Sequence, residues 1–398
     1  MCIRDRLKVD GSGKVIRFLG EDPPEAGSDL TLTLDLDLQA AAESVLGKRK
    51  GAIVVLNPHD GSVLAMASYP RFDPNIFSKP ISNQAWQKLQ SQGNPFLNLA
   101  LRGFPPASTF KVVTAAAGME TGRYPSHQTL NTFPYLELAG IRFREWNRRG
   151  FGRMGYVGAM AWSSNTFFGQ IGRGVGGEKL GKWANNFGLG KPTGLDISGE
   201  TGGLIADDAW KQKTFKQGWT TGDTINMSIG QGFVLATPLQ VGVMLSTIAN
   251  DGHKITPHLL KRNPQTAAKP TSLNLKPDTL NTLKKGLRAV VRSGTGKKEL
   301  NVSSLPPVAG KSGTAEAPPG KPHTWFMAYT PYEKPEIVVV AFAEHSGSGG
   351  SKVAAPMVRK VMSAYFLHKQ LRKTKPKPEP EPSSNSNPSK LINNELVN

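Results

Sequence analysis

Residues 51–67 read Gly51-Ala52-Ile53-Val54-Val55-Leu56-Asn57-Pro58-His59-Asp60-Gly61-Ser62-Val63-Leu64-Ala65-Met66-Ala67. The apolar run at 52–56 stops at a cluster of turn-formers, 57–61, and a second apolar run follows, so the stretch predicts a hairpin of two strands. The same pattern returns only towards the far end of the chain, where 308–313, 324–329 and 336–344 read as strands and 353–371 as a closing helix. Between these lie helical runs at 109–121, 157–172, 177–187, 237–250 and 278–292, separated by Gly-rich connections. Strands at both ends with helices between them predict an α+β fold whose sheet is assembled from distant segments.

Outside this frame the chain carries less. Residues 7–50 are polar and end in the alternating Leu30-Thr31-Leu32-Thr33-Leu34 and a helix over 37–46; they read as a lead-in. The opening Met1-Cys2-Ile3-Arg4-Asp5-Arg6 has neither strand alternation nor a helix cap, which points to a truncated or artefactual start with an anchor missing upstream. From residue 372 the chain is rich in Pro, Lys, Glu and Ser, and such a stretch buries too little apolar area to offset chain entropy, so 372–398 reads as a disordered tail.

A chain of 398 residues with 38% hydrophobic and 20% charged residues is globular and long enough for a substantial core, and its 43 Gly and 30 Pro imply many turns. The net charge of +19 would suit an anionic partner, but Lys and Arg are scattered. There is no zinc-finger spacing, basic helix-turn-helix or aromatic RNA-binding strand, so the charge reads as solvated surface and nucleic acid is not an expected partner. Cys2 is the only cysteine, which excludes intrachain disulfides and multi-cysteine metal sites. No apolar run approaches the roughly 20 residues needed to span a bilayer, and no signal pattern opens the chain.

Three short patterns carry chemistry. Pro105-Pro106-Ala107-Ser108 opens a helical run, so Ser108 and Lys111, at i and i+3, share one face at a helix N-terminus. A serine hydroxyl needs a base, and a lysine serves if it is neutral; burial and the positive potential of a helix N-terminus both oppose its protonation. Ser163-Ser164-Asn165 offers a hydroxyl for proton relay and an amide to hold a substrate backbone. Lys311-Ser312-Gly313-Thr314 reads as an edge strand: Gly313 lets a substrate backbone approach, Ser312 and Thr314 offer hydroxyls to a carboxylate, and Lys311 supplies positive potential. Alone, each has an ordinary explanation: a serine cap with an exposed lysine, a polar loop, a surface strand. Their order is what matters, because Ser-x-x-Lys, Ser-x-Asn and Lys-Ser-Gly-Thr in succession are elements of penicillin-binding proteins and β-lactamases.

With these residues in view, the chain from about 51 to 367 resembles the transpeptidase domain of class B penicillin-binding proteins. The resemblance includes AIVVLNPHDGSVLAMASYPRFDPN, PPASTFK, SIGQGFVLATPLQV at 228–241, AGKSGTAE and HTWFMAYTPYEKPEIVVVAFAE. The Pro-Pro before Ser108 and the stretch WTTGDTINMSIGQG are similar to the elongation type, penicillin-binding protein 2, more than to the septal type. It implies an antiparallel sheet flanked by helices with a mainly helical subdomain, a pedestal remnant at 1–50, a transpeptidase domain at 51–371 and a tail at 372–398. Ser108 would be the nucleophile, Lys111 its base, Ser163 the relay and Asn165 the donor-positioning amide. Lys311, Ser312 and Thr314 would bind the donor carboxylate, and the N–H groups of Ser108 and Thr314 would form the oxyanion hole. The expected substrates are peptidoglycan stem peptides, a D-Ala-D-Ala donor and an amine acceptor, with β-lactam antibiotics as mimics. A polytopic glycosyltransferase is the expected partner, and the extracytoplasmic face of the cytoplasmic membrane the expected place.

Two departures bear on this. Ala107 stands where many relatives have Gly, which is tolerated if its φ is negative. Some elongation-type relatives bind zinc with Asp, His and Cys between the first two motifs, whereas FREWNRRGFGR at 143–153 has Glu145 and Phe151 with no Cys or His, so neither metal nor cofactor is expected. The histidines, His127, His253 and His258 among them, read as surface or satisfied groups. Trp210, Trp219 and Trp325 read as core, with Trp325 also a candidate to line the donor groove. The rival functions are a class D-like serine β-lactamase or β-lactam sensor, which would have Ser-x-Val in place of Ser163-Ser164-Asn165, and a non-catalytic scaffold of the cell-wall synthesis complex.

Overall fold

Two apolar runs far apart in sequence, Gly51–Leu56 and Ile337–Ala343, are neighbours at the centre of a sheet in the computed structural model of the protein, which describes residues 4–22, 27–78, 80–263 and 268–374. Every residue of both is buried, as a strand covered on both faces requires. The sheet has five strands in the order Ala309–Ala315, His323–Thr330, Ile337–Ala343, Gly51–Leu56, Val63–Tyr69, and all neighbours are antiparallel. Helix Pro238–Ala249 covers one face and helices Leu36–Leu46 and Ala354–Thr374 the other. Pro238–Ala249 is buried along its whole length, and its start is fixed by a reciprocal Thr237–Gln240 capping box with Pro238 in the first turn. The expected α+β class and the sheet built from both ends of the chain are therefore present.

Other expectations change. The helix expected over 157–172 is two helices, Tyr156–Ala161 and Asn165–Val175, because Ser163 adopts φ +56°, a left-handed conformation that a right-handed helix cannot contain. The Leu30–Leu34 alternation yields only an isolated bridge between Leu32 and Leu260. Strands Arg4–Val9 and Val15–Asp22 pair where none was expected; the Asp10 carboxylate accepts from Ser12 N, Ser12 Oγ and Lys14 N and builds the turn that joins them. Helix Leu36–Leu46 buries Leu38, Ala42 and Leu46 in the main core, so the packed unit extends N-terminal to Gly51. The closing helix runs to Thr374; the Pro-rich stretch from residue 375 and the first three residues lie outside those described. Among the described residues no helix is long and apolar enough to cross a membrane.

Candidate active site

Ser108 lies in the 3-10 turn Ala107–Phe110, which continues directly into helix Lys111–Glu120. Ala107 enters that turn with φ +51°, so it carries left-handed strain that a glycine would not; the tolerance expected for it was conditional on a negative φ. Several bonds hold it there. Ala107 N donates to Gly230 O at 2.9 Å, Thr109 Oγ1 donates to Pro106 O at 2.7 Å, and Trp325 Nε1 donates to Pro105 O at 3.0 Å. Trp325 is 0% exposed, with its ring against Phe342, and is not among the residues lining the groove; its bond to Pro105 anchors the segment before Ser108.

Lys111 is fully buried, and its Nζ donates to Ser163 O (2.6 Å), Asn165 Oδ1 (2.7 Å) and, at longer range, Ser163 Oγ (3.3 Å). Burial pushes its ammonium down to about 7, while the nearby Glu145 carboxylate works the other way. Among the described residues no hydrogen bond joins Ser108 Oγ to Lys111 Nζ; such bonds often tighten only in the substrate complex. Lys311 is buried too, rather than a surface lysine, and its Nζ donates to Ser163 Oγ at 2.8 Å. Burial first and the charge of Lys111 second hold Lys311 well below the usual lysine range. Ser163 Oγ thus sits between the two lysine nitrogens, and the strained φ of Ser163 is what turns it there.

The Lys-Ser-Gly-Thr residues lie on Ala309–Ala315, an edge strand of the sheet. Ser312 Oγ is 2.9 Å from Thr295 Oγ1, and Thr314 Oγ1 accepts from Gly350 N at 3.1 Å. Gly313 also has a packing task. A Cβ there would lie 3.1 Å from Trp325 Cβ, 3.2 Å from Pro106 O and 3.4 Å from Thr109 Cγ2, so the missing side chain admits the Ser108 turn against the strand. Above the site opens a groove of about 560 Å³ lined by Ser108, Asn165 and Thr314, with Phe143 and Arg144 on one wall and Asn226 and Gln231 on another.

Periodicity does not mark the hairpin Tyr135–Leu138/Ile141–Arg144 that carries the Arg144 wall, nor Thr295, which lies in a short connection. Glu145 had one signal: it is the only acid between Glu137 and Glu178. His253 and His258 bond backbone carbonyls, and no histidine lines the groove. No cluster of three or more His, Cys, Asp or Glu is placed to hold a metal among the described residues.

The Ser-x-x-Lys, Ser-x-Asn and Lys-Ser-Gly-Thr residues thus meet at one groove on a sheet sandwiched by helices, and these motifs are closely related to those of penicillin-binding proteins and β-lactamases. Residues 51–363 match the family described as penicillin binding protein transpeptidase domain, and the chain belongs to that family. It is 38% identical over 396 residues, 92% of this chain, to peptidoglycan D,D-transpeptidase MrdA of Haemophilus influenzae, and 34% identical over 373 residues, 87% of this chain, to MrdA of Escherichia coli K12. It spans 60% and 59% of the lengths of these two relatives. The solved Pseudomonas aeruginosa PBP2 in complex with WCK 5153 superposes with a TM-score of 0.82 at 35% identity, covering 90% of this chain and 81% of that one. The Helicobacter pylori PBP2–MreC complex matches with a TM-score of 0.80 at 30% identity, covering 92% of this chain and 69% of that one.

Proposed function

We propose that this chain is the catalytic portion of a peptidoglycan D,D-transpeptidase of cell-wall elongation, acting through an acyl-enzyme on Ser108. The observation that carries the reading is Ser163 Oγ between Lys111 Nζ and Lys311 Nζ beneath a groove lined by Ser108, Asn165 and Thr314. Neutral Lys111 takes the proton of Ser108 Oγ as that oxygen attacks the carbonyl of a D-Ala-D-Ala stem peptide. The N–H groups of Ser108 and Thr314 bind the oxyanion, and Ser163 passes a proton to the departing D-Ala amine. An amine on a second stem peptide then attacks the ester and releases Ser108. Ser312 and Thr314, in the field of Lys311, bind the donor carboxylate, and Asn165 orients its backbone.

We also place the protein at the extracytoplasmic face of the cytoplasmic membrane, with a polytopic glycosyltransferase partner and a MreC-like contact of the kind in the Helicobacter pylori complex. Residues 51–371 then form the catalytic domain, 1–50 the end of a pedestal with Leu36–Leu46 docked on that domain, and 372–398 a tail. The decisive experiment is labelling with a fluorescent penicillin followed by mass spectrometry. A long-lived adduct on Ser108, lost in Ser108→Ala, is expected; a label elsewhere would refute the assignment, and rapid loss of label would favour β-lactam hydrolysis.

A further inference from the structure

In the segment Arg142-Phe143-Arg144-Glu145-Trp146-Asn147-Arg148-Arg149 the one acid is also the one buried residue, only 5% exposed. None of the neighbouring arginines pairs with it among the described residues. Its partners are neutral donors instead. Oε2 accepts from Ser164 Oγ at 2.6 Å, Thr166 N at 3.0 Å and Thr166 Oγ1 at 3.1 Å, and Oε1 accepts from Trp146 N at 3.0 Å. Ser164 is the N-cap of helix Asn165–Val175, so the carboxylate sits at that helix's positive end. Two further bonds tie the same segments: Trp146 Nε1 donates to Trp162 O at 2.8 Å and Asn165 Nδ2 to Arg144 O at 3.1 Å.

We infer that Glu145 is a positioning residue for acyl transfer, its carboxylate clasping the Ser163-Ser164-Asn165 turn so that Ser163 and Asn165 stay on Lys111. The strained φ of Ser163 needs such a restraint, since nothing in the turn's own sequence favours it. The clasp is also electrostatic. The titratable groups that face Lys111 are Glu145 beneath the turn and Lys311 from the edge strand, the remaining neighbours being Ser163, Asn165 and the Phe168 ring at 5.7 Å. Without the carboxylate, burial acts on Lys111 unopposed and Lys111 loses its proton at lower pH.

The inference rests on the acyl-transfer reading, and the test separates the two. The full chain and its Glu145→Gln, Glu145→Asp and Ser164→Ala variants are acylated with a fluorescent penicillin across a pH series, with thermal melts to establish folding. Glu145→Gln should slow acylation about 10- to 100-fold by loosening the turn, and should move the rising limb of the rate–pH profile to lower pH. Glu145→Asp, which keeps the charge, should leave that limb in place and recover part of the rate. Ser164→Ala should slow the reaction without moving the limb, and it reads the clasp should Glu145→Gln fail to fold. A folded Glu145→Gln with the parent's rate, or with a slowed rate and an unmoved limb, would overturn the inference. A parent chain that takes no label on Ser108 would instead sink the acyl-transfer reading itself.

Discussion

In the proposed mechanism Lys111 is the base, although a lysine is ordinarily a cation. Burial answers part of the requirement by pushing it down to about 7, so the neutral form grows through neutrality and acylation should rise with pH over the same interval before levelling off. An arginine stays protonated at any such pH, so Lys111→Arg should reduce the acylation rate by about 10²- to 10⁴-fold across the whole profile. Stopped-flow or gel-based penicillin acylation from about pH 5 to pH 9 measures both; a flat parent profile would remove Lys111 from the role of base. Ala107 poses a separate question at the same scale. Its φ of +51° favours Gly, but Ala107→Gly also loosens the unfolded chain and deletes a buried methyl, so the effects nearly cancel and stability should change by less than about 1 kcal/mol. Ala107→Val adds a β-branch to a left-handed residue and should destabilise by at least about 2 kcal/mol, as urea unfolding would register.

At the level of elements, the close approach of the Ala107–Phe110 turn to the edge strand Ala309–Ala315 depends on Gly313. In Gly313→Ala the new methyl meets Pro106 O and Trp325 Cβ, both anchored by the Trp325–Pro105 bond, so turn and strand must part by a few tenths of an ångström. The expected result is a loss of about 1–3 kcal/mol with acylation slowed about 10-fold or more; an unchanged rate would mean that the turn follows the strand freely. Helix Thr221–Ser228, which brings Ile225 and Asn226 to the groove, depends in turn on Asp223, which closes a capping box with Thr220 and takes Lys211 Nζ at 2.5 Å. Asp223→Ala opens the box and leaves the buried Lys211 unpaired, which should cost about 3–5 kcal/mol in denaturant unfolding.

These cases also mark how far the sequence can be read. Strands such as Ile337–Ala343 are legible because a strand covered on both faces must be apolar throughout, and Ser108, Lys111, Ser163 and Lys311 are legible because their order is informative. The partners of Ser312, Gly313 and Trp325 are not, since each is supplied by a segment remote in sequence, Thr295, Pro106 and Pro105 respectively. Glu145 stays hidden for the same reason: its value arises only where the 143–146 and 162–166 segments meet.

Over the whole molecule, the sheet joins strands from both ends of the chain, so its N-terminal covering helix is part of the fold even though the family match begins at residue 51. Leu36–Leu46 buries Leu38 and Leu46 against the sheet, Thr33 N and Asp35 N donate to Leu259 O and Leu64 O, and Arg372 of the closing helix grips Asp35 and Asp37. The arginine contacts are exposed and worth little, but two buried leucines at about 1.5–3 kcal/mol each, with the strand and closing-helix surface they cover, are comparable to the roughly 5–15 kcal/mol by which a domain is stable. The hairpin Arg4–Val9/Val15–Asp22 is different, because Val9, Val15, Ile16 and Leu19 are all more than half exposed. A chain beginning at Asp29 should therefore keep both its melting temperature, within about 2 °C, and its Ser108 label. One beginning at Gly51 should unfold or aggregate at ordinary temperature and take no label. Melting curves and penicillin labelling of the two truncations decide the point, and a chain from Gly51 that melted with the parent would show that the sheet needs no covering helix on that face.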